Sequence, residues 1–242
     1  MSTRARLLAF DSATEALAIG VDGPLGATVW TGPGGAHASA LLLPQLRLLL
    51  EEQGLAIADL DAIAFGAGPG AFTGLRTACS VAQGLAIGAD VPVLAVDSLL
   101  IVAEDARLHG EVLADGEVGV VMDARMGELY VARYRWSDGG WATILAPSLR
   151  RPADLSAAWQ ASWPALLAGS GIDMIVARPV SAGLVRVVRD RAMATLSLAR
   201  ALHAAGSAVD AGQALPRYVR DKVAQTTAER QLAAAPASQA SP

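Results

Sequence analysis

A glycine-rich turn between an apolar segment and a helix-forming segment restricts the fold more than any other feature of the chain. Residues 61–68 read DAIAFGAG, a helix is expected from about Thr73 to Ile87, and residues 91–96 read VPVLAV. Strand, turn, helix and strand at this spacing form a βαβ unit, whose two strands run parallel. The sequence therefore predicts an α/β fold.

The same turn matches a dinucleotide-binding pattern. Gly66, Gly68 and Ala71 occupy the spacing of the fingerprint in its alanine variant, after a strand and before a helix. Pro69 removes an amide donor where a pyrophosphate would approach, and Asp97, at the end of the next strand, is equally suited to cap the following helix. The pattern thus leaves a dinucleotide site as a weak alternative.

A mononucleotide P-loop is excluded by its missing lysine. Arg76 stands where the pattern requires lysine, and Lys222 is the only lysine of the chain. Small residues instead fill the predicted helix at 73–88. Such a helix favours close approach of a second helix.

The N-terminal part is predicted to hold three strands and a leucine-rich helix. Apolar runs at 7–10, 16–21 and 27–30 are separated by turn signals. The helix is expected over 37–54, ending at Gly54 as its cap. Its leucines leave almost no polar face, which indicates burial on more than one side.

The second half of the sequence repeats the pattern of the first. Residues 118–136 form an apolar run, an Asp-led turn and another apolar run, which places Asp123 on Asp11 and suggests an internal duplication. Residues 137–180 are expected to be rich in loops, and 189–206 to form a helix. The predicted domains are an N-terminal lobe at 1–108, a C-terminal lobe at 109–225 and a disordered tail at 226–242.

Composition narrows the class of protein and its partners. Of the 242 residues, 53% are hydrophobic, yet no stretch of about 20 apolar residues lacks a charge or a helix breaker, so no membrane span is expected. One cysteine, Cys79, fits a reducing compartment, and we expect a cytoplasmic protein. Because the net charge is −4 and no basic run exceeds Arg150-Arg151, the chain is not expected to bind RNA alone.

The segment DSATE contains the candidate nucleotide-binding residues. Asp11 ends the first predicted strand, and the hydroxyls of Ser12 and Thr14 follow in a tight turn. Actin-like ATPases hold metal and phosphate with such a loop. The alternative is a local turn in which Asp11 and Thr14 satisfy nearby amides.

Neither a metal site nor a catalytic set is expected. Histidines His37, His109 and His203 lie far apart, without an HxxxH or HExxH pair. Cys79 lies within the small-residue helix, where a buried, inert thiol is the simpler interpretation.

Several segments together resemble a known family. LAFDSATEALAIGV, GAGPGAFTGLR, VPVLAVDSL, MDARMGELYVA and PRYVRDKVA occur in this order. The chain resembles the TsaB (YeaZ) family of the bacterial tRNA threonylcarbamoyladenosine modification system, from Leu7 to about Val223. The resemblance implies an actin-like, Hsp70-like (ASKHA) α/β fold with two lobes, whose duplicated mixed β-sheet cores are flanked by helices.

This resemblance also implies a non-catalytic, dimerising subunit. In such systems the related TsaD transfers the threonylcarbamoyl group to N6 of adenosine 37 in tRNAs reading ANN codons, TsaB pairs with TsaD as a scaffold, and the ATPase TsaE joins them. The implied tRNA contact is made only through the complex, and isolated TsaB is expected to form a homodimer. No cofactor is expected to bind this chain stably alone, with ATP or ADP placed at the partner interface.

Two departures bear on these implications. TsaD carries two histidines one helical turn apart as metal ligands, whereas here Leu41 stands four residues after His37. After His37 the family pattern continues Ser-Glu, but this chain has Ala38-Ser39.

The helices at 37–54 and 73–88 are expected to pair with their counterparts on TsaD in a four-helix contact, and the homodimer is expected to use the same face. The predicted contact residues are Leu42, Leu46, Leu49, Leu50, Thr73, Leu75, Arg76, Ala78, Cys79 and Ala82. The alternative function is an active ATP-dependent phospho- or carbamoyl-transferase using Asp11 and Asp123. A peptidase is disfavoured by the missing nucleophile and metal pair.

Overall fold

The computed structural model describes residues 4–112, 114–160, 162–175 and 177–220. The strands are β1 (Leu7–Asp11), β2 (Ala16–Gly23), β3 (Gly26–Pro33), β4 (Ala62–Gly68), β5 (Val93–Asp97), β6 (Glu117–Asp123), β7 (Leu129–Ser137), β8 (Gly140–Arg150), β9 (Leu166–Ala168) and β10 (Gly183–Val185). The α-helices are α1 (Ala38–Gln53), α2 (Phe72–Ala89), α3 (Ser98–Leu108), α4 (Pro152–Trp159) and α5 (Arg191–Ala204). The tail predicted at 226–242 lies outside the described residues.

The ten strands form two five-stranded sheets with one topology. The first sheet has the order β3-β2-β1-β4-β5, and the second has the order β8-β7-β6-β9-β10. In each sheet the first three strands pair antiparallel, and the fourth pairs parallel with the first and the fifth. The predicted duplication and the actin-like fold class are thereby confirmed.

Helices and sheets alternate through the molecule. Helices α1 and α2 cover the outer face of the first sheet, around the fully buried Phe10 and Phe65. Helices α3 and α5 lie between the sheets: α5 packs on the first sheet and α3 on the second. Helix α4 covers the outer face of the second sheet through Leu155 and Trp159.

The two central helices begin alike. Asp97 caps α3 by accepting hydrogen bonds from the backbone N–H groups of Leu99 and Leu100, as the sequence predicts. Asp190 caps α5 by accepting from the N–H of Met193. Because α5 follows the second sheet but packs on the first, a boundary at 108/109 separates the two sheets and does not separate the helices.

The interval predicted to be rich in loops contains regular structure. Strand β8 has eleven residues and, among the described strands, pairs with β7 alone, and helix α4 follows it at once. An edge strand with one solvent-facing side needs few apolar residues, which is why composition did not reveal it. The expected helix ends are closer to the structure: Gly54 ends α1 with φ +66°.

Candidate functional site

Asp11, at the carboxyl end of β1, is fully buried and has a hydrogen-bond partner at each carboxylate oxygen. Its Oδ1 lies 2.8 Å from Nε of Arg191, the first residue of α5, and accepts the Ala13 N–H at 3.1 Å. Its Oδ2 accepts a 2.8 Å hydrogen bond from the hydroxyl of Ser98, the first residue of α3. Both central helices therefore begin at this carboxylate.

These contacts limit what Asp11 can do. Both oxygens already accept from groups of this chain, and the guanidinium of Arg191, 5% exposed, balances the charge. A magnesium ion needs free carboxylate oxygens. To bind Oδ1 it would have to compete with Arg191, and to bind Oδ2 it would have to compete with the Ser98 hydroxyl.

The predicted nucleotide-binding hydroxyls have local partners. Ser12 is buried and donates a 2.8 Å hydrogen bond to the carbonyl oxygen of Gly74 in α2. Thr14 bonds only to the backbone of Ala16 within the described residues. Together with Asp11, these residues form a turn that holds the start of α2 against β1.

The glycine turn after β4 is closely packed. A Cβ on Gly66 would overlap the Asp11 carboxylate, and one on Gly74 would overlap the carbonyl oxygen of Ser12. The Gly68 N–H donates to the Ser98 hydroxyl, and the Ala67 carbonyl accepts from the Arg217 N–H. The glycines thus permit close packing of strand, turn and helices. The Gly68 N–H and the Ala67 carbonyl already have hydrogen-bond partners within the chain.

A cleft of about 440 Å³ lies between the lobes. Asp123, the counterpart of Asp11, lines it with a side chain 34% exposed and accepts a hydrogen bond from the Arg125 N–H. Arg125 also makes an exposed 3.0 Å ion pair with Glu15 of the first lobe. The two aspartates that the sequence places in equivalent positions therefore differ: one is sealed in the core and the other faces the cleft.

A partly buried contact joins the lobes beside the cleft. The Tyr134 hydroxyl on β7 donates a 2.8 Å hydrogen bond to Oδ2 of Asp97. Burial raises the pKa of the Asp97 carboxyl, against the opposing effect of the hydrogen bonds it accepts. Burial, together with the nearby Asp97 charge, raises the pKa of Tyr134 as well. The hydroxyl therefore stays protonated as a donor.

Eight of the ten predicted contact residues do not lie on the surface of the free chain. Their side chains are buried in the chain's own core beneath α1 and α2, because these faces of the helices cover the first sheet. The eight are Leu42, Leu46, Leu49, Leu50, Leu75, Ala78, Cys79 and Ala82. Of the predicted set, Thr73 and Arg76 are exposed.

The solvent-facing sides of α1 and α2 carry exposed apolar side chains and glycines. Leu43 is 48% exposed, Leu48 52% and Ile87 70%. Gly84 and Gly88 are exposed in the last two turns of α2, and a Cβ at either position would meet nothing within 4 Å. We call the surface formed by these five residues with Thr73, Arg76 and Ser80 the α1/α2 face.

Gly84 and Gly88 have no structural use within the described chain. Glycine inside a helix is less favourable than alanine by roughly 1 kcal/mol. Gly74, in the same helix, is required by the close approach of Ser12, whereas Gly84 and Gly88 border open space. Sequence analysis noted the small residues but could not distinguish the buried ones from the exposed ones.

Among residues 4–112, 114–160, 162–175 and 177–220, no group of three or more His, Cys, Asp and Glu side chains is arranged to hold a metal ion. Within the same residues, no helix is both long and apolar enough to cross a membrane.

Comparisons with known proteins agree on one family. The model of the family TsaD, tRNA N6-adenosine threonylcarbamoyltransferase, matches residues 34–233. The tRNA threonylcarbamoyladenosine biosynthesis protein TsaB of Escherichia coli K12 is 34% identical over 90% of this chain and 96% of its own length. TsaB of Haemophilus influenzae is 38% identical over 52% of each chain.

A solved structure extends this agreement to three dimensions. YeaZ from Pseudomonas aeruginosa superposes with a TM-score of 0.77 at 37% sequence identity, over 89% of this chain and 100% of that one. A second Pseudomonas aeruginosa structure, described as an uncharacterized protein with similarity to peptidase YEAZ, has a TM-score of 0.80 at 36% identity. It covers 90% of this chain and its own full length. Sequence and fold agree, and the chain belongs to the TsaB (YeaZ) family.

Proposed function

We propose that this protein is a non-catalytic subunit in the biosynthesis of tRNA threonylcarbamoyladenosine that binds TsaD through its α1/α2 face. Relatives named for this pathway supply the process. TsaD then performs the transfer to N6 of adenosine 37 in tRNAs reading ANN codons, TsaE joins the pair, and tRNA is held by the assembled complex. The isolated chain forms a homodimer through the same face.

The observation that carries the docking proposal is the open space beside Gly84 and Gly88. Each of these two glycines makes α2 less stable than alanine would, and no atom of the described chain fills the space beside them. An approaching helix would use it, because helix axes come closest where side chains are smallest. Ile87, beside Gly88 in α2, and Leu43 and Leu48 of α1 are exposed and supply apolar surface to bury.

The contacts of Asp11 support the non-catalytic part of the proposal. In the alternative, an ATP-dependent transferase would hold magnesium between Asp11 and Asp123. Here Asp11 is neutralised by Arg191 and bonded to Ser98, whereas Asp123 alone faces the cleft. We therefore assign any ATP or ADP requirement to the interface with TsaD, and expect calorimetry of the isolated chain with ATP and magnesium to show no binding.

The charge of the chain supports tRNA binding through the complex alone. With a net charge of −4, the isolated subunit lacks the excess of cations that neutralises phosphates. In a filter assay the isolated chain should not retain tRNA, and tight, strongly salt-dependent retention would contradict this.

A substitution at Gly84 tests docking without disturbing the fold. Gly84→Gln adds a side chain into open space and improves helix propensity, so the variant should fold at least as well as the natural chain. In the complex the same side chain would obstruct the approaching helix. We expect titration calorimetry to show a loss of TsaD affinity of about 30-fold or more, which corresponds to about 2 kcal/mol.

The matched control is Ala201→Gln, at an exposed position of α5. It should leave the affinity unchanged. Equal affinity of the Gly84→Gln variant and the natural chain would refute docking at this face, and failure of the natural chain to bind TsaD would refute the proposed function as a whole.

A further inference from the structure

An arginine–aromatic cluster lies at the start of α2, and its two rings, Phe72 and Tyr218, also line the cleft between the lobes. The Arg76 guanidinium lies 3.9 Å from the ring centroid of Phe72, one turn earlier in α2. Its Nε donates a 3.0 Å hydrogen bond to the hydroxyl of Tyr218. The rings of Phe72 and Tyr218 are 5.3 Å apart. Arg76 is thus held by a ring on one side and a hydroxyl at its Nε, although it is exposed to solvent.

Tyr218 reaches this position because the segment 214–220 is fixed along its length. The Ala214 carbonyl accepts hydrogen bonds from the Cys79 thiol at 3.4 Å and from Gln83 Nε2 at 2.9 Å. Arg217 N–H donates to β4, and Arg220 makes a 2.8 Å ion pair with Glu128 of the second lobe. The segment therefore spans both lobes and is anchored on each side of Tyr218.

The remaining donors of Arg76 have no partner in the described part of the chain. No carboxylate there lies within 4.0 Å of its guanidinium, and its Nη atoms make no hydrogen bond to those residues. An arginine normally loses considerable side-chain entropy on binding, but a guanidinium already stacked and bonded at Nε loses less. Its planar fork matches a carboxylate in two parallel hydrogen bonds.

The surrounding charge decides which anion the cluster would meet. Residues 1–108 contain five arginines against eleven acidic residues. Arg76 is the single basic residue of α2, and α1 carries Glu51 and Glu52 near its end. RNA contact relies on several cations acting together, whereas α2 presents one. A single carboxylate within an otherwise uncharged helix contact needs only one.

We propose that Phe72, Arg76 and Tyr218 form a clamp that binds one carboxylate side chain of the protein docked on the α1/α2 face, so that the C-terminal segment 214–220 belongs to the docking surface. This inference rests on the proposed function, because Arg76 lies on the same side of α2 as Thr73, Ser80 and Gly84. Tyr218 positions the arginine, and Arg76 makes the contact.

Three variants test the clamp in the full-length chain, with TsaD affinity measured by titration calorimetry at two salt concentrations. Arg76→Gln removes the charge, and we expect TsaD affinity to fall by roughly 10- to 100-fold, with a weaker salt dependence. Arg76→Lys keeps the charge but loses the fork, and affinity should fall by about 10-fold. Tyr218→Phe removes only the hydroxyl, and a loss of about 3-fold is expected.

Arg150→Gln is the control, since Arg150 is an exposed arginine at the end of β8, far along the chain from α2. It should bind as the natural chain does, and thermal melting should be unchanged for all four variants. If the natural chain binds TsaD but Arg76→Gln and Tyr218→Phe bind equally well, the clamp is wrong while the proposed function stands. If these variants instead weaken only tRNA binding by the assembled complex, the anion is RNA phosphate and the proposal is also overturned.

Discussion

The first and second lobes share one strand order but differ in the helices of their outer faces. Between its third and fourth strands the first lobe has α1, with 16 residues, where the second has α4, with eight. Between its fourth and fifth strands the first has α2, with 18 residues, where the second has the three-residue 3₁₀ turn Ile172–Met174. In the second lobe a short helix, a short turn and loop residues such as Trp163 cover the corresponding face.

The greater length of α2, compared with the turn in the second lobe, indicates that α2 has a role beyond covering the sheet. Its inner side, with Leu75, Ala78 and Ala82, seals the first sheet. Its outer side carries Gly84 and Gly88 beside open space and contributes nothing to that seal. We infer that the first lobe specialises in docking. The second half of the chain supplies Tyr134 and Arg191, whose side chains bond to Asp97 and Asp11 of the first lobe.

The largest expected effect concerns the two equivalent aspartates. Arg191→Met would leave the Asp11 carboxylate buried without its ion-pair partner, and we expect the free energy of unfolding to fall by about 3–5 kcal/mol in urea titrations. Asp123→Asn, in the second lobe, should change it by about 0.5 kcal/mol or less, because its side chain is partly exposed. The double variant Asp11→Asn/Arg191→Met should regain part of the loss, and equal effects of the two single variants would contradict the assignment.

A smaller effect separates the two sides of α2. In Gly74→Ala the new Cβ meets the backbone of Ser12, so unfolding should become easier by about 1–3 kcal/mol. In Gly84→Ala the Cβ enters open space, and stability should rise by as much as about 1 kcal/mol. Circular dichroism during urea titration measures both. A destabilising Gly84→Ala would mean that Gly84 serves the fold of the free chain.

The smallest expected effect is the pH dependence of one buried and one exposed carboxyl. Because the pKa of Asp97 is raised in the folded protein, Asp97 favours folding less as pH rises from its unfolded-state pKa of about 3.9 to the folded value. Asp97→Asn should therefore gain stability relative to the natural chain across this window. If the difference in unfolding free energy between Asp97→Asn and the natural chain stayed constant over this pH range, the pKa of Asp97 would not be raised by burial.

Asp173, in the second lobe, should show the opposite sign. Its hydrogen bonds to Arg186 lower the pKa of its carboxyl, so its contribution to stability is present above the unfolded-state pKa and is lost as pH falls through the folded one. Asp173→Asn should lose stability relative to the natural chain as pH rises through that interval. Parallel urea titrations of both variants from pH 2 to pH 7 compare the two signs.

The first lobe was predictable from local signals, and the second only in part. Periodicity, the Gly54 end of α1 and the Asp97 cap located the elements of the first lobe within a few residues. In the second lobe, β8 is an exposed edge strand, and β9 and β10 have three residues each, so their apolar patterns are too short or too weak to recognise.

The site depended on contacts that no local pattern encodes. Asp11 was identified from its position at a strand end, but its partner Arg191 lies 180 residues away along the chain. The predicted docking helices are present, yet a helix that is leucine-rich nearly all round gives no indication of which leucines face the sheet. For that reason Leu46 and Ala82 appeared as contact residues and are instead core residues.

The central claim is that the outer side of α2 receives a helix of TsaD, and a cryo-EM structure of the complex tests it most directly. The account predicts a TsaD helix crossing α2 at Gly84, with the helix axes at the short end of the usual range of about 8–10 Å and α4 left in solvent. A complex in which TsaD contacts α4 or the edge strand β8, with Gly84 and Gly88 still facing solvent, would contradict it.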